Sequence, residues 1–317
     1  MKQYLNYKSK KGFLQISFPW LFAMIVGALI LFLAIYGVTR LISTEETIQS
    51  VKASKELGIL LNPLETGFEE AKTSSLTFPV ETRIYNKCNS LGSFGKQLIQ
   101  ISQLSYGKWT ESDLGEDADV GFSNKYIFSN GVVEGKKMLI FSKPFEFPFK
   151  VADLIYITSE KDKYCFIDAP EDISEEIKNL NQENLLVEEC EDIEDVTKVC
   201  FSLRSTDCPI TVNYDEKYLD KRGARMNFEG DALMYGAIFS EAEVYDCELR
   251  RLMKRVASLA LIYKDKAELI ECGFDPDLLT LINSANALQS SAELKSIGIL
   301  VELIETRNSQ NSLCRLW

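Results

Sequence analysis

The chain has 317 residues and not one histidine, which removes the commonest general base and zinc ligand, and with them every Ser-His-Asp or Cys-His arrangement. Its 47 acidic against 35 basic residues give a net charge of −12, a field that repels phosphate backbones and reads against nucleic-acid binding. An aromatic content of 11% supports a folded domain over a disordered tail.

Residues 1–17 read as a basic cytoplasmic N-terminus, with Lys2, Lys8, Lys10 and Lys11 and no acid. Phe18 to Thr39 is then an unbroken run of 22 uncharged residues, and a helix of that length covers the ~30 Å hydrocarbon core of a bilayer. A transmembrane helix is therefore expected over 18–42, where the chain contacts lipid. Glu45 and Glu46 follow it, so the positive-inside rule keeps the N-terminus cytoplasmic and places everything after residue 42 outside. The apolar core exceeds that of a secretory signal, and Val38-Thr39-Arg40-Leu41-Ile42 offers no A-x-A-like site, so the segment reads as an uncleaved signal anchor of a single-pass cell-membrane protein. Ser17 is placed to cap the helix, Pro19 suits its first turn, and Trp20 and Tyr36 fall near its two ends, at headgroup level. Ala23, Gly27, Ala34 and Gly37 share one seam. Such spacing lets backbones approach closely in lipid and points to a second copy or a partner membrane helix, although small residues are also simply common in membrane helices.

The start Lys10-Lys11-Gly12-Phe13-Leu14-Gln15-Ile16-Ser17-Phe18 resembles the class III signal of archaeal type IV pilin-like proteins. In that family a peptidase cuts after a glycine preceded by basic residues, and the apolar segment becomes an anchoring or assembly helix. The resemblance implies a cut after Gly12 and a new N-terminus at Phe13. Where the family usually carries Glu, five residues into the mature chain, this sequence has Ser17. The whole chain is also similar to members of an uncharacterised archaeal group of single-pass membrane proteins, through phrases such as Asn62-Pro63-Leu64-Glu65-Thr66-Gly67 and Phe228-Glu229-Gly230-Asp231-Ala232-Leu233. That similarity implies a place in a family and no activity.

Residues 1–42 hold five of the basic residues and no acid, which leaves 30 basic against 47 acidic residues beyond them, a net charge of about −17 on the extracytoplasmic part. All eight cysteines lie there as well. An oxidising compartment makes disulfides the default, against buried free thiols, and no C-x-x-C pair suggests a redox or zinc-ribbon site. Residues 43–77 read as a juxtamembrane helical segment with Ile48, Val51 and Leu57 on one side, and Asn62-Pro63-Leu64-Glu65 as a fresh helix start. Residues 78–225 form a β-rich region. Its short β-branched and aromatic runs are Thr82–Tyr85, Leu98–Ser102, Lys125–Phe128, Lys137–Phe141, Leu154–Thr158, Tyr164–Ile167, Val199–Leu203 and Ile210–Tyr214. Turn residues separate several of them, which predicts mainly antiparallel structure, interrupted by one helix near Asp172–Leu180.

Residues 226–317 form a helical region. Ser240-Glu241-Ala242-Glu243 has the form of a capping box, and Tyr245, Leu249, Leu252, Val256, Leu259 and Tyr263 recur at helical spacing. This helix is expected to end near Gly273, Asp275-Pro276 starts the next, and Ser290-Ser291-Ala292-Glu293 caps a third. The fold class is α+β, with a transmembrane helix, a mainly antiparallel β region and a C-terminal helical hairpin or bundle layer. Cys247 and Cys272 lie 25 residues apart on one predicted helix, roughly 37 Å, so they do not bond each other. The favoured pairs are Cys272 with Cys314, and Cys200 with Cys208 across the turn at Ser205-Thr206-Asp207. The remaining connectivity is open.

Four further patterns carry chemistry. Glu188-Glu189-Cys190-Glu191-Asp192-Ile193-Glu194-Asp195 gathers carboxylates that suit a hard cation, but it lacks the spacing of an EF-hand loop and reads more simply as a solvated acidic loop. Phe141, Phe145, Phe147 and Phe149, with Pro144 and Pro148, form either an edge strand open to a partner strand or a core-facing strand bounded by prolines. Arg250-Arg251 and Lys254-Arg255 read as a solvated helix face or as ion-pair partners. Glu229 and Asp231 flank Gly230 as paired carboxylates, or Asp231 is an N-cap. No catalytic residue, metal set or cofactor motif is read. The expected function is a non-enzymatic, membrane-anchored structural or recognition protein, in a pilus-like or secretion assembly. The alternative is an anchored carboxylate-dependent hydrolase of envelope polymers, which needs two acids in a deep pocket.

Overall fold

The computed structural model describes residues 18–61, 72–105, 107–110, 119–188, 190, 193–202, 208–271, 275–310 and 314–317. The chain divides into two compact units between Ile48 and Gln49. Helix α1 (Phe18–Leu60) opens the first. Its Phe18–Leu41 stretch is apolar over 24 residues, with none buried, and is long and apolar enough to cross a membrane. The expected cut site at Gly12 and Phe13, and the helix start at Asn62, lie outside the described residues.

The second unit is α+β, with two mixed sheets and C-terminal helices. The first sheet is built from β1 (Lys72–Asn89), β2 (Lys96–Ser105), β3 (Lys108–Trp109), β4 (Val120–Phe122), β5 (Ile127–Phe128), β6 (Val132–Glu146) and β7 (Lys150–Ser159), in the order β3-β2-β1-β6-β7-β5 with β4 also on β2. Its pairings are antiparallel except for β5 with β7. Residues 72–77, expected in a helical segment, belong to β1; Thr73, Ser74, Ser75 and Thr77 favour the extended ladder with β6. Met138, Ile140, Ile155 and Ile157 bury one face with Leu57 and Leu61, which belong to this same unit, while Phe141, Leu154 and Tyr156 bury the other. Burial on both faces is why these strands read as continuous apolar runs instead of alternating ones.

The second sheet departs from the mainly antiparallel expectation. β8 (Lys163–Ile167), β9 (Leu185–Val187), β10 (Val196–Cys200), β11 (Ile210–Asn213), β12 (Tyr218–Lys221) and β13 (Ala224–Asn227) follow the order β13-β12-β11-β10-β8-β9. From β9 to β11 the neighbours run parallel, and β12 and β13 are antiparallel. The helix between Asp172 and Leu180, α2 (Glu171–Leu180), is the reason. It carries the chain from β8 back to a parallel β9, as such a connection requires.

Helix α3 (Gly230–Phe239) is buried from Ala232 to Phe239. It packs against β5, β6 and β7 of one sheet and β12 and β13 of the other, which explains an apolar sequence without an exposed stripe. Next come α4 (Ala242–Leu269), α5 (Asp275–Ala287), a short 3₁₀ turn at Ser291–Glu293 and α6 (Leu294–Gln310). The capping box at Ser240 is not formed. Ser240 ends α3 through its N–H on Gly236 O, and Glu241 is the N-cap of α4. Ser290 makes no side-chain cap either; Glu293 instead accepts from the Gln289 N–H at 3.0 Å.

Disulfides join Cys88 of β1 to Cys247 of α4, Cys165 to Cys190, and Cys200 to Cys208, with Cα separations of 6.0, 6.2 and 6.1 Å. Cys314 is also disulfide-bonded. Cys272, the partner expected for it, lies outside the described residues.

Candidate functional site

In the second sheet the chain leaves β8 through α2 to reach β9 on one side, while β10 lies on the other side of β8. This is a topological switch point, and in open sheets ligands bind in the crevice beyond the strand carboxyl ends at such a place. A cleft of about 390 Å³ occupies that position. Asp168, Ala169 and Pro170 line it from the end of β8, Phe201 and Ser202 from the end of β10, and Asn213, Tyr214 and Asp215 from the end of β11.

The lining is held by its own bonds. Asp168 adopts a left-handed backbone (φ 54°) that turns the chain from β8 toward α2, a conformation that Asp tolerates better than most residues. The Phe201 N–H donates to Ile167 O at 3.0 Å, and the Phe201 and Tyr214 rings lie 6.4 Å apart. Asn213 accepts from the Glu216 N–H and donates to the Tyr218 hydroxyl. The Tyr214 hydroxyl donates to Asp231 at 2.9 Å. Burial, and then that bond, push its phenol up to about 12.

Beside the cleft, two carboxylates converge on one ammonium. Lys143 of β6 contacts Glu176 of α2 at 2.5 Å and Asp231 of α3 at 3.7 Å. The Tyr235 hydroxyl donates to Glu176 at 3.0 Å, and burial drives the Tyr235 phenol far above its ordinary range. Among the described residues the cleft lining carries carboxylates, an amide, a hydroxyl, a phenol and aromatic faces, and no basic side chain, so it suits a neutral or cationic ligand. Among the described residues no group of three or more His, Cys, Asp or Glu is placed to hold a metal ion.

The chain matches no protein-family model, no curated protein and no solved structure. Its chemistry is read from its own geometry.

Among the described residues, none of the candidates singled out from sequence lines the cleft, and the core-facing reading of Phe141, Phe145, Phe147 and Phe149 is the one observed. Glu229 and Asp231 are not a carboxylate pair: Glu229 accepts from Lys217 at 2.7 Å, while Asp231 meets Tyr214 and Lys143. Glu229 is the N-cap of α3, and burial raises its carboxyl pKa against the opposing pull of Lys217. The phenylalanines of 141–149 are all in the core. β6 is an interior strand, and among the described residues its ladder with β1 reaches Ser142, so Pro144 opposes no described residue of β1. The acidic run is described only in part, and its Cys190 is tied to Cys165.

The basic residues of α4 do not form a solvated face. Arg251 is fully buried and donates to Glu248 and to the carbonyls of Phe94, Phe122, Ser123 and Lys125. Lys254 donates to Ser90 O and Gly92 O, Arg250 to Gln289 O and Arg255 to Val151 O. Arg251 and Lys254 thus hold the turns around Ser90–Phe94 and Phe122–Lys125 to the helix, Arg255 holds β7, and Arg250 holds the connection after α5. In α1, a Cβ at Gly27 or Gly37 meets nothing within 4 Å, and Ala23 and Ala34 are exposed. The cleft residues went unread in the sequence, where the signal was an Asp168 ending a strand immediately before a helix.

Proposed function

We propose that the protein is a single-pass, membrane-anchored extracytoplasmic protein with a recognition or structural role. The observation that carries this reading is the Phe18–Leu41 helix, apolar and unburied throughout, in one chain with a disulfide-joined α+β unit. An apolar helix without protein cover is stable in lipid, and disulfides persist outside the reducing cytosol. The lysines before the helix favour a cytoplasmic N-terminus. The carboxyl groups that burial raises, Glu229 and Glu248, do not line the cleft, which favours binding over acid–base chemistry there. Protease treatment of intact cells tests the topology. Degradation of residues 43–317 with the anchor spared is expected, and complete protection overturns it. Assembly in a pilus-like or secretion structure extends the same proposal. Mass spectrometry of the native N-terminus tests it, since a chain beginning at Phe13 supports that extension and an intact Met1 removes it.

A second reading, an anchored hydrolase of envelope polymers, draws on Glu176 and Asp231 meeting at Lys143. It requires that Glu176→Gln and Asp231→Asn each abolish release of sugars from isolated envelopes. Equal release by both variants removes it.

A further inference from the structure

Resting on the recognition reading, we infer that the cleft beyond β8, β10 and β11 is a binding site for a neutral carbohydrate. Saccharides present two kinds of surface: C–H faces that lie on aromatic rings, and neighbouring hydroxyls that match the spaced oxygens and nitrogens of carboxylates and amides. The cleft supplies both. Phe201 and Tyr214 bring rings 6.4 Å apart into its wall, and Asp168, Asp215, Asn213 and Ser202 surround them with planar acceptors, an amide and a hydroxyl.

Three features select this ligand class. Among the described residues the lining has no cation, and the nearby Lys143 is engaged by Glu176 and Asp231, so these residues offer phosphates, sulfates and uronic acids no counter-charge in an already acidic protein. The volume of about 390 Å³ lies at the small end of ligand sites, which span roughly 300–1,000 Å³, and suits a short saccharide. The wall is also pre-ordered. Tyr214 is held by its hydroxyl on Asp231, Phe201 by its N–H on Ile167, and Asn213 by Glu216 and Tyr218, so binding need not immobilise these groups again.

The test uses the full chain in detergent micelles on an array of neutral gluco-, manno-, galacto- and N-acetylglucosamine oligomers, with an oligolysine peptide as the rival probe. Retention of at least one neutral oligomer is expected, unchanged between roughly 50 and 500 mM salt. Tyr214→Ala should weaken it about tenfold or more, as for an exposed aromatic ring that the ligand covers. Asp215→Asn turns one planar acceptor of the lining into a donor and should also weaken it, by about threefold or more. Thermal unfolding of each variant confirms that it folds. If Tyr214→Ala fails to fold, Phe201→Leu replaces it with the same expectation. Absence of retention across the array overturns the inference, as does retention of oligolysine alone, lost in high salt. Protease mapping of the same preparation in vesicles reads the topology separately, so a failed cleft and a failed anchor reading give different results.

Discussion

Arg251 Nη1 donates to Glu248 Oε2 at 2.6 Å, and neither side chain has exposed surface. One turn apart on α4, they face a wall of backbone. The guanidinium spends its remaining donors on four carbonyl oxygens and sits 4.8 Å from the ring centroid of Tyr126, while Glu248 Oε1 has no hydrogen-bond partner among the described residues.

Removing the arginine should therefore cost far more than the usual helix-surface charge. Arg251→Met leaves the buried Glu248 carboxyl group and four carbonyls without their donor, and a loss of about 3–5 kcal/mol is expected in denaturant unfolding. Adding Glu248→Leu to that variant should recover part of the loss. A loss below about 1 kcal/mol for the single variant contradicts the clamp.

Stability should also depend on pH through Glu248. Burial lifts its carboxyl pKa from 4.5 to about 8 against the opposing pull of Arg251. The folded state then holds a proton that the unfolded state has released, so this group's contribution is fully present below pH 4.5 and is lost as pH rises toward 8, by an amount on the order of a few kcal/mol. Glu248→Gln should flatten the profile over that window. An unchanged profile in the variant rules out Glu248 as the source.

The Cys88–Cys247 bridge closes a loop spanning 159 residues. In the chain-entropy model a loop of this length contributes about 4–5 kcal/mol. Replacing both cysteines by serine should lower the guanidinium midpoint accordingly without changing the far-ultraviolet spectrum. Equal midpoints would show that the unfolded chain is already constrained by other means.

Gly236 on α3 is a close approach of helix to strand, since a Cβ there meets the Phe128 ring at 2.8 Å. Gly236→Val should cost about 1–3 kcal/mol by overpacking, despite the better strand and helix order that a side chain usually brings. Adding Phe128→Leu should relieve it. Additive losses in the double variant would place the strain elsewhere.

Sequence pattern located what depends on local period. The heptad-like run from Tyr245 to Tyr263 is the inner face of α4, and the uncharged segment from Phe18 is an unburied helix. Pattern failed where neighbours in space decide. A strand run such as Val199–Leu203 looks the same whether its neighbour runs with it or against it, so the parallel order around β8 was hidden. Arg251 looked like its neighbour Arg250 because burial on a helix is set by the far side of the contact. Asp168, Phe201 and Tyr214 are separated by loops in sequence and meet only because β8, β10 and β11 lie side by side. Ser240 had the letters of a helix start, but α3 ends on the same residue that α4 would have used.

On the proposed topology, the order in which the chain emerges sets a problem in which Cys88 appears first and its partner Cys247 late. Cys165, Cys190, Cys200 and Cys208 all pass in between, already paired among themselves in the finished fold. Until α4 arrives, Cys88 is an exposed thiol beside a succession of wrong partners. Maturation in that order is expected to pass through exchange of mispaired bonds, and chains trapped early to carry the first strand bonded to the middle of the molecule.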